Sequence, residues 1–127
     1  MKRINTVVYV AGPFRAQSPW EQECNVRVAE ATSLALWQAG FTAICPHTQT
    51  RFFQDAPGIP DDSVWLEGTL EMLRRCDYIL LCPGWHSSSG TLGEKTEAER
   101  LGIPVFYDVN SIVKHHELCE RANAESI

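Results

Sequence analysis

Apolar residues fall along this chain in two modes: short, near-continuous runs of β-branched and aliphatic side chains, and longer stretches where they recur every third or fourth position. The first mode marks strands buried on both faces, the second amphipathic helices. "TVVYVAG" closes on Gly12 and predicts a first buried parallel strand. "SPWE" opens a helix: Ser18 suits the cap, Pro19 the first helical position, and Glu21 completes a capping box. Val26, Ala29, Leu34 and Trp37 recur at helical spacing, and Gly40 marks the end. "FTAICP" is a second strand, and residues 47–62 form a loop carrying Phe52, Phe53, Pro57, Gly58 and Pro60, long enough to be functional or mobile. A helix from about Ser63 to Arg75 places Leu66, Leu70 and Leu73 on one face before "DYILLC", the third strand. A serine-rich turn, a helix to Gly102, the strand "IPVFYD", a helix from about Ser111 to Arg121 and a polar tail from about Ala122 complete the order.

Strands alternating with helices predict an α/β fold: a three-layer, flavodoxin-like or Rossmann-like parallel sheet of four to five strands, helices on both faces, joined by right-handed crossovers. One domain over residues 1–127 is expected. Such sheets bind ligands at the carboxyl ends of their strands, where strand order reverses. Two glycine-bearing segments leave strands at that edge, "AGPFR" after the first and "PGWHSSSG" after the third.

Composition narrows the partners. With 44% apolar residues in 127, the chain is able to bury roughly two thirds of its unfolded surface. A net charge of −5 argues against a nucleic-acid polymer or an anionic membrane as partner, though not against a small anion held locally. The five cysteines, Cys24, Cys45, Cys76, Cys82 and Cys119, are odd in number and lack CxxC spacing, so they read as reduced thiols. Cys45 with His47, and His116 with Cys119, lack a standard structural zinc spacing, so neither a metal nor another cofactor is expected. "MKRIN" is basic but runs into an alternating strand rather than a signal-length apolar stretch, and no segment reaches the length of a membrane span. A cytoplasmic protein is expected.

The stretch "LCPGWHSSSGTLGEKTEAER" places a buried strand directly before three serines and a helix. It lacks the G-x-S-x-G of a nucleophile elbow, and the chain has neither a Walker GxxxxGKS nor a GxGxxG fingerprint. Ser87, Ser88, Ser89, Gly90 and Thr91 offer hydroxyls and free N–H groups at a helix N-terminus, which suits an oxyanion such as phosphate; one of them acting as a plain helix cap accounts for the same residues. Glu94 is open in the same way: "TLGE" fits a capping box on Thr91, while a first-turn carboxylate beside a pocket also suits attack on an electrophilic carbon. Arg15 is either a phosphate clamp or a solvated loop charge, and Tyr9 either core or pocket wall. His86 reads more simply as a turn residue than a general base, and Trp85 as a packing residue than a plate for a base.

"YVAGPFR" and "CDYILLCPGWHSSSGTLGEKTEAERLGIPV" together resemble the nucleoside 2-deoxyribosyltransferase superfamily, most of all its small phage and bacterial branch with YxAGP, cD, pGW and SxGxxxE in order. The resemblance implies that Glu94 is the nucleophile on the anomeric carbon, that Tyr9 orients it, and that Ala98 fills the small-residue position after it. Similarity to the 2'-deoxynucleoside 5'-monophosphate N-hydrolases adds the GxxR turn of Gly12 and Arg15, and a phosphate-binding serine at Ser88, six residues before Glu94. The implied substrate surface comprises Gly12, Phe14, Arg15, Asp77 and Trp85 together with Ser87, Ser88, Ser89, Gly90 and Thr91. Relatives carry an acid eight residues before the aspartate of the third strand; here that position is Thr69, with Glu67 and Glu71 nearby, leaving Glu67, Glu71 or water as the proton donor. The implied function is cleavage of the N-glycosidic bond of a nucleotide, a 2'-deoxynucleoside 5'-monophosphate, by hydrolysis or base exchange in a homodimer. A non-catalytic nucleotide sensor and an NAD-like dinucleotide glycohydrolase are the alternatives.

Overall fold

The computed structural model describes residues 4–125. Strand β1 (Val7–Ala11) leads to helix α1 (Pro19–Gln38), then β2 (Thr42–Ile44), a short helix α2 (Pro46–Gln49), α3 (Ser63–Arg74), β3 (Tyr78–Leu81), a 3₁₀ turn (Trp85–Ser87), α4 (Ser89–Leu101), β4 (Val105–Phe106) and α5 (Val109–Glu125). The four strands form an all-parallel sheet in the order β2-β1-β3-β4. Strand order therefore reverses between β1 and β3, and their carboxyl ends flank the crevice where such sheets hold ligands.

Alternation along β1 sorts the core into two layers. Val8 and Val10 face one side with Leu80 and Cys82 of β3, covered by Ala29 and Leu36 of α1 and Ile112 of α5. Tyr9 and Ala11 face the other with Ile79 and Leu81, covered by Leu73 of α3 and Ala98 of α4. Helices thus lie on both faces, as expected. Cys45, Cys76 and Cys82 are buried free thiols, while Cys119 is exposed.

Helix α1 begins as its sequence requires, Ser18 Oγ accepting from Glu21 N at 3.1 Å. The expected apolar face is partly wrong in phase: Leu34 and Trp37 are 56% and 42% exposed, whereas Leu36 is fully buried with Val26 and Ala29. Two residues turn a helix by about 200°, so Leu34 cannot share the face that Leu36 presents to β1. Leu66 is likewise exposed in the first turn of α3, while Leu73 enters the core. The chain after Ala122 is not a tail as far as it is described: α5 starts at Val109 with Asp108 accepting from Ser111 N at 2.7 Å, and continues to Glu125. Ala122 and Ala124 favour helix and no glycine or proline stops it; Ser126 and Ile127 lie outside the described residues. The 47–62 loop opens with α2, and Phe52 and Asp55 adopt left-handed φ values of 66° and 62° within it. No helix among the described residues is long and apolar enough to cross a membrane.

Asp77, expected at the substrate surface, sits instead at the amino end of β3. Its carboxylate accepts from Val7 N at 2.8 Å and its N–H donates to Val7 O at 2.9 Å, which sets the register of β3 on β1. The four residues of β3 separate it from the carboxyl edge, roughly 13 Å at the usual rise per residue. Asp77→Ala should therefore lower stability by about 1 kcal/mol in chemical denaturation and leave any ligand binding at the carboxyl edge unchanged; a selective loss of such binding would return Asp77 to the binding surface.

Candidate active site

The crevice is built by two turns that leave adjacent strands. After β1, Gly12 packs so closely on β3 that a Cβ there would stand 2.9 Å from Cys82 Cβ, closer than side chains tolerate. After β3, Gly84 takes the left-handed φ of 86°, where a Cβ would also press on Pro13 at 3.2 Å. Glycine at both positions lets the two turns touch.

Two groups that the sequence did not single out for this edge hold the first turn. Buried His47, at the start of α2, places Nε2 2.9 Å from Pro13 O, and Phe14 lies edge-on to its ring at 5.3 Å. A carbonyl only accepts, so Nε2 carries the hydrogen, and burial pushes the pKa of His47 below its usual value, keeping it neutral. Asn25 on α1 donates to Phe14 O at 3.2 Å. Their only sequence signal is position: His47 follows β2 at the carboxyl edge of the sheet, and Asn25 lies in the second turn of α1. Arg15 extends from this turn and pairs with Asp62 at the start of α3, both side chains more than half exposed.

The second turn resolves the capping question. Ser88 is the N-cap of α4: its Oγ accepts from Thr91 N at 3.2 Å and from the Thr91 hydroxyl at 2.9 Å. Thr91 is therefore a buried residue inside the helix rather than its cap, and Glu94 lies one turn beyond any capping box. Both lone pairs of Ser88 Oγ are filled, so its own hydrogen remains to donate. The N–H groups of Ser89 and Gly90 have no partner among the described residues, as befits the first turn of a helix. Ser87 and Ser89 are exposed beside them.

Glu94 extends from the second turn of α4 onto the sheet, where the Tyr9 hydroxyl donates to its Oε2. Tyr9 is 1% exposed, so this phenol is both core and site wall. Burial pushes the Glu94 carboxyl up to about 7, an effect the Tyr9 hydrogen bond only partly opposes. Burial, with the neighbouring Glu94 charge second, drives the Tyr9 phenol far above its ordinary range, so it remains a proton-holding donor. From α3 the Thr69 side chain also reaches the Tyr9 hydroxyl. Ala98, one turn after Glu94, is fully buried against the same layer, leaving room for the tyrosine ring. Trp85 packs on that layer too, tilted against Tyr107 at 5.4 Å and with Lys95 Nζ 5.8 Å from its ring centre.

Glu67 is not brought to this group. It is exposed on α3, and its offset of two residues from Thr69 turns it about 200° around the axis. Glu71 is exposed and taken by Arg74 and Arg75, each at 3.1 Å. Among the described residues no group of three or more His, Cys, Asp or Glu is placed to hold a metal ion.

A parallel sheet ordered 2-1-3-4 with a partly buried carboxylate at its reversal defines a doubly wound α/β protein. The chain belongs to the family described as a domain of unknown function, DUF7768, which matches residues 6–108. Its fold is that of the 2-deoxyribosyltransferase from the psychrotolerant bacterium Bacillus psychrosaccharolyticus: the structures superpose with a TM-score of 0.57 at 23% identity, over 78% of this chain and 69% of that one. No curated protein matches the chain.

The displaced pKa of Glu94 has a measurable sign. An unfolded glutamate ionises near 4.5 and the folded one near 7, so the fold loses stability as pH rises through that interval and the loss is complete above about 7. Glu94→Gln keeps an acceptor for Tyr9 but has no charge to bury. Relative to the native chain, it should gain stability from pH 5 to pH 8 by on the order of a few kcal/mol, read from paired melting curves. A difference that does not change with pH would mean that Glu94 ionises normally.

Proposed function

We propose that this chain cleaves the N-glycosidic bond of a nucleotide, a 2'-deoxynucleoside 5'-monophosphate, with Glu94 as nucleophile. The observation that carries this is the buried Glu94 carboxylate, held by the Tyr9 hydroxyl at the reversal point of the sheet, with no cation pairing it among the described residues. A carboxylate pinned in a helix purely for stability would be capped, paired or solvated; Glu94 is none of these. Support also comes from the shared fold with a 2-deoxyribosyltransferase.

In this mechanism the Tyr9 hydrogen bond fixes one carboxylate oxygen and leaves the other to attack the anomeric carbon. A C–O bond forms, the C–N bond breaks with its electron pair passing to the base, and charge develops on the sugar as in other retaining glycosidases. Water then opens the glycosyl ester to a sugar phosphate, or a second base opens it to an exchanged nucleotide. A nucleophile ionised at about pH 7 is reactive without being solvated out of reach. The 5'-phosphate is assigned to the start of α4, where Ser88 has only its hydrogen to offer and Ser89 and Gly90 present free N–H groups. Arg15 joins by exchanging Asp62, an exposed partner worth little, for the phosphate. Phe52, Phe53 or Trp85 covers the base, and the homodimer implied by the resemblance completes the assignment.

A nucleotide sensor is the competing function, favoured by Thr69 where relatives place an acid. Turnover separates the two. Glu94→Ala should abolish release of base from a panel of nucleoside monophosphates by at least a thousandfold while nucleotide affinity stays within a fewfold, because a nucleophile acts in the transition state. A 2-fluoro sugar analogue should leave a covalent adduct on Glu94 by mass spectrometry. Binding without turnover by the native chain would establish the sensor.

The phosphate assignment has its own check. Monophosphates should exceed the matching nucleosides at least tenfold in kcat/KM, about 1.4 kcal/mol. Ser88→Asp, which replaces the donor with an anion, should erase that preference. Equal rates on nucleoside and monophosphate would reduce the serine run to a helix cap.

A further inference from the structure

The surroundings of Glu94 say what kind of base the site is able to release, an inference that rests on the glycosidase function proposed above. An ordinary nucleobase leaves as an anion unless a positioned acid protonates it, and such an acid contributes roughly a hundred- to ten-thousandfold. Among the described residues, none of the groups packed around Glu94 is free to be that acid. From β1, Tyr9 has given its hydrogen to Glu94 itself. From α3, the Thr69 hydroxyl donates to Leu66 O at 3.1 Å, and the Cys76 thiol at the end of that helix donates to Met72 O at 3.3 Å. From α4, Lys95 is paired with Glu99 at 2.9 Å, and Glu97 lies between Arg74 and Arg100. Glu71 is held by two arginines, and Asp62 and Glu67 are exposed to solvent rather than packed on Glu94. His86 is exposed to solvent and edge-on to Trp85 at 5.6 Å, with no hydrogen bond to Glu94.

The opposite electrostatic need is met. Trp85, packed on the layer of Tyr9 and Ala11, already carries a cation near its ring in Lys95, at 5.8 Å from the centre. An aromatic face beside a lone buried carboxylate attracts a positively charged ring.

We infer that the site is specific for nucleotides whose base is joined through a cationic, quaternised ring nitrogen, a pyridinium or an N-alkylated purine, because such a base departs neutral and needs no proton. The step balances without further reagents. A Glu94 oxygen forms the bond to the anomeric carbon, and the C–N electron pair passes to the ring nitrogen and cancels its charge. Water then hydrolyses the ester, its oxygen going to the sugar and one hydrogen to the carboxylate and then to solvent.

The test compares matched substrates on the native chain: 7-methyl-2'-deoxyguanosine 5'-monophosphate against dGMP and 7-methylguanosine 5'-monophosphate against guanosine 5'-monophosphate, with nicotinamide mononucleotide as the pyridinium member and each ratio taken within one sugar, base release being followed by chromatography. The cationic members should exceed the neutral ones at least a hundredfold in kcat/KM. Because cationic bases are intrinsically better leaving groups, the ratio is also measured in Thr69→Asp and Thr69→Glu. Each restores a carboxylate beside Glu94, and two close carboxylates retain a shared proton that one of them can donate. Neutral substrates should gain at least tenfold while cationic ones do not, so the ratio collapses. Neutral and cationic substrates within tenfold of each other on the native chain would overturn the inference and leave the glycosidase function standing. An unchanged ratio in either variant that still melts cooperatively and turns over substrate would also overturn it. Release of base from no substrate at all would overturn both.

Discussion

The hydrogen bond from Tyr9 to Glu94 is the constraint on which the crevice depends, since it joins the middle of the sheet to the second turn of α4 across the apolar layer. A carboxylate in that position has lost most of its water, and a single phenolic donor returns only part of what was lost. The remainder appears as the displaced pKa of Glu94. Everything near the pair serves to keep it there. Ala98 is small enough for the ring, Ser88 starts the helix at the residue that brings Glu94 over β1, and the glycines at 12 and 84 let the two turns close above it. Sites that store such a cost are commonly functional ones, because packing alone would be better served by an uncharged side chain.

The fold was legible because its signals are redundant. Each strand is a short apolar run between breakers, each helix has a start signal or a glycine stop, and their alternation admits few topologies. Details carried by one residue were less secure. Leu34 and Leu36 look equivalent in an apolar run, and only the packing of α1 on Val8 and Val10 decides that Leu36 is the core residue. Tyr9, Gly12, Ser88 and Glu94 were grouped by the resemblance, and the pairing of β1 with β3 brings together the two strand ends that they flank. Asp77 and Glu67 were misplaced for opposite reasons. Asp77 lies next to β3 in sequence but at the wrong end of it, while Glu67 lies near Thr69 in sequence but on another side of α3. His47 supports the first turn through Pro13 O, a contact between residues 34 positions apart that no local pattern announces.

Thr69 changes the acid–base logic of the crevice rather than merely deleting a group. Two carboxylates held close together cannot both ionise, so one keeps a proton near neutrality and becomes an acid while the other becomes a nucleophile. With Thr69 in place, Glu94 feels burial and the Tyr9 hydrogen bond but no second carboxylate. Its pKa then reports desolvation, and the proton that a pair would have shared is absent from the site. Thr69 gives its hydrogen to Leu66 O, so the position of Glu94 is held by Tyr9 without it.

The spacing between Ser88 and Glu94 connects this chemistry to the anion site. Six residues along α4 rise about 9 Å, and a glutamate side chain leans back toward the N-terminus of its helix. The Glu94 carboxylate and the donors of Ser88, Ser89 and Gly90 are thereby separated by about the length of one sugar phosphate along the same helix. Because both ends of that ruler belong to α4, they move together if the helix shifts on the sheet. The helix also separates its charges in a favourable sense. An anion at the start of α4 would meet the positive end of the dipole, while Glu94 lies a full turn further in, beyond the range of most of that benefit, and keeps the raised pKa that burial imposes. One helix N-terminus therefore carries free donors beside its Ser88 cap and a carboxylate in its second turn, with the Tyr9 hydroxyl fixing the carboxylate in place.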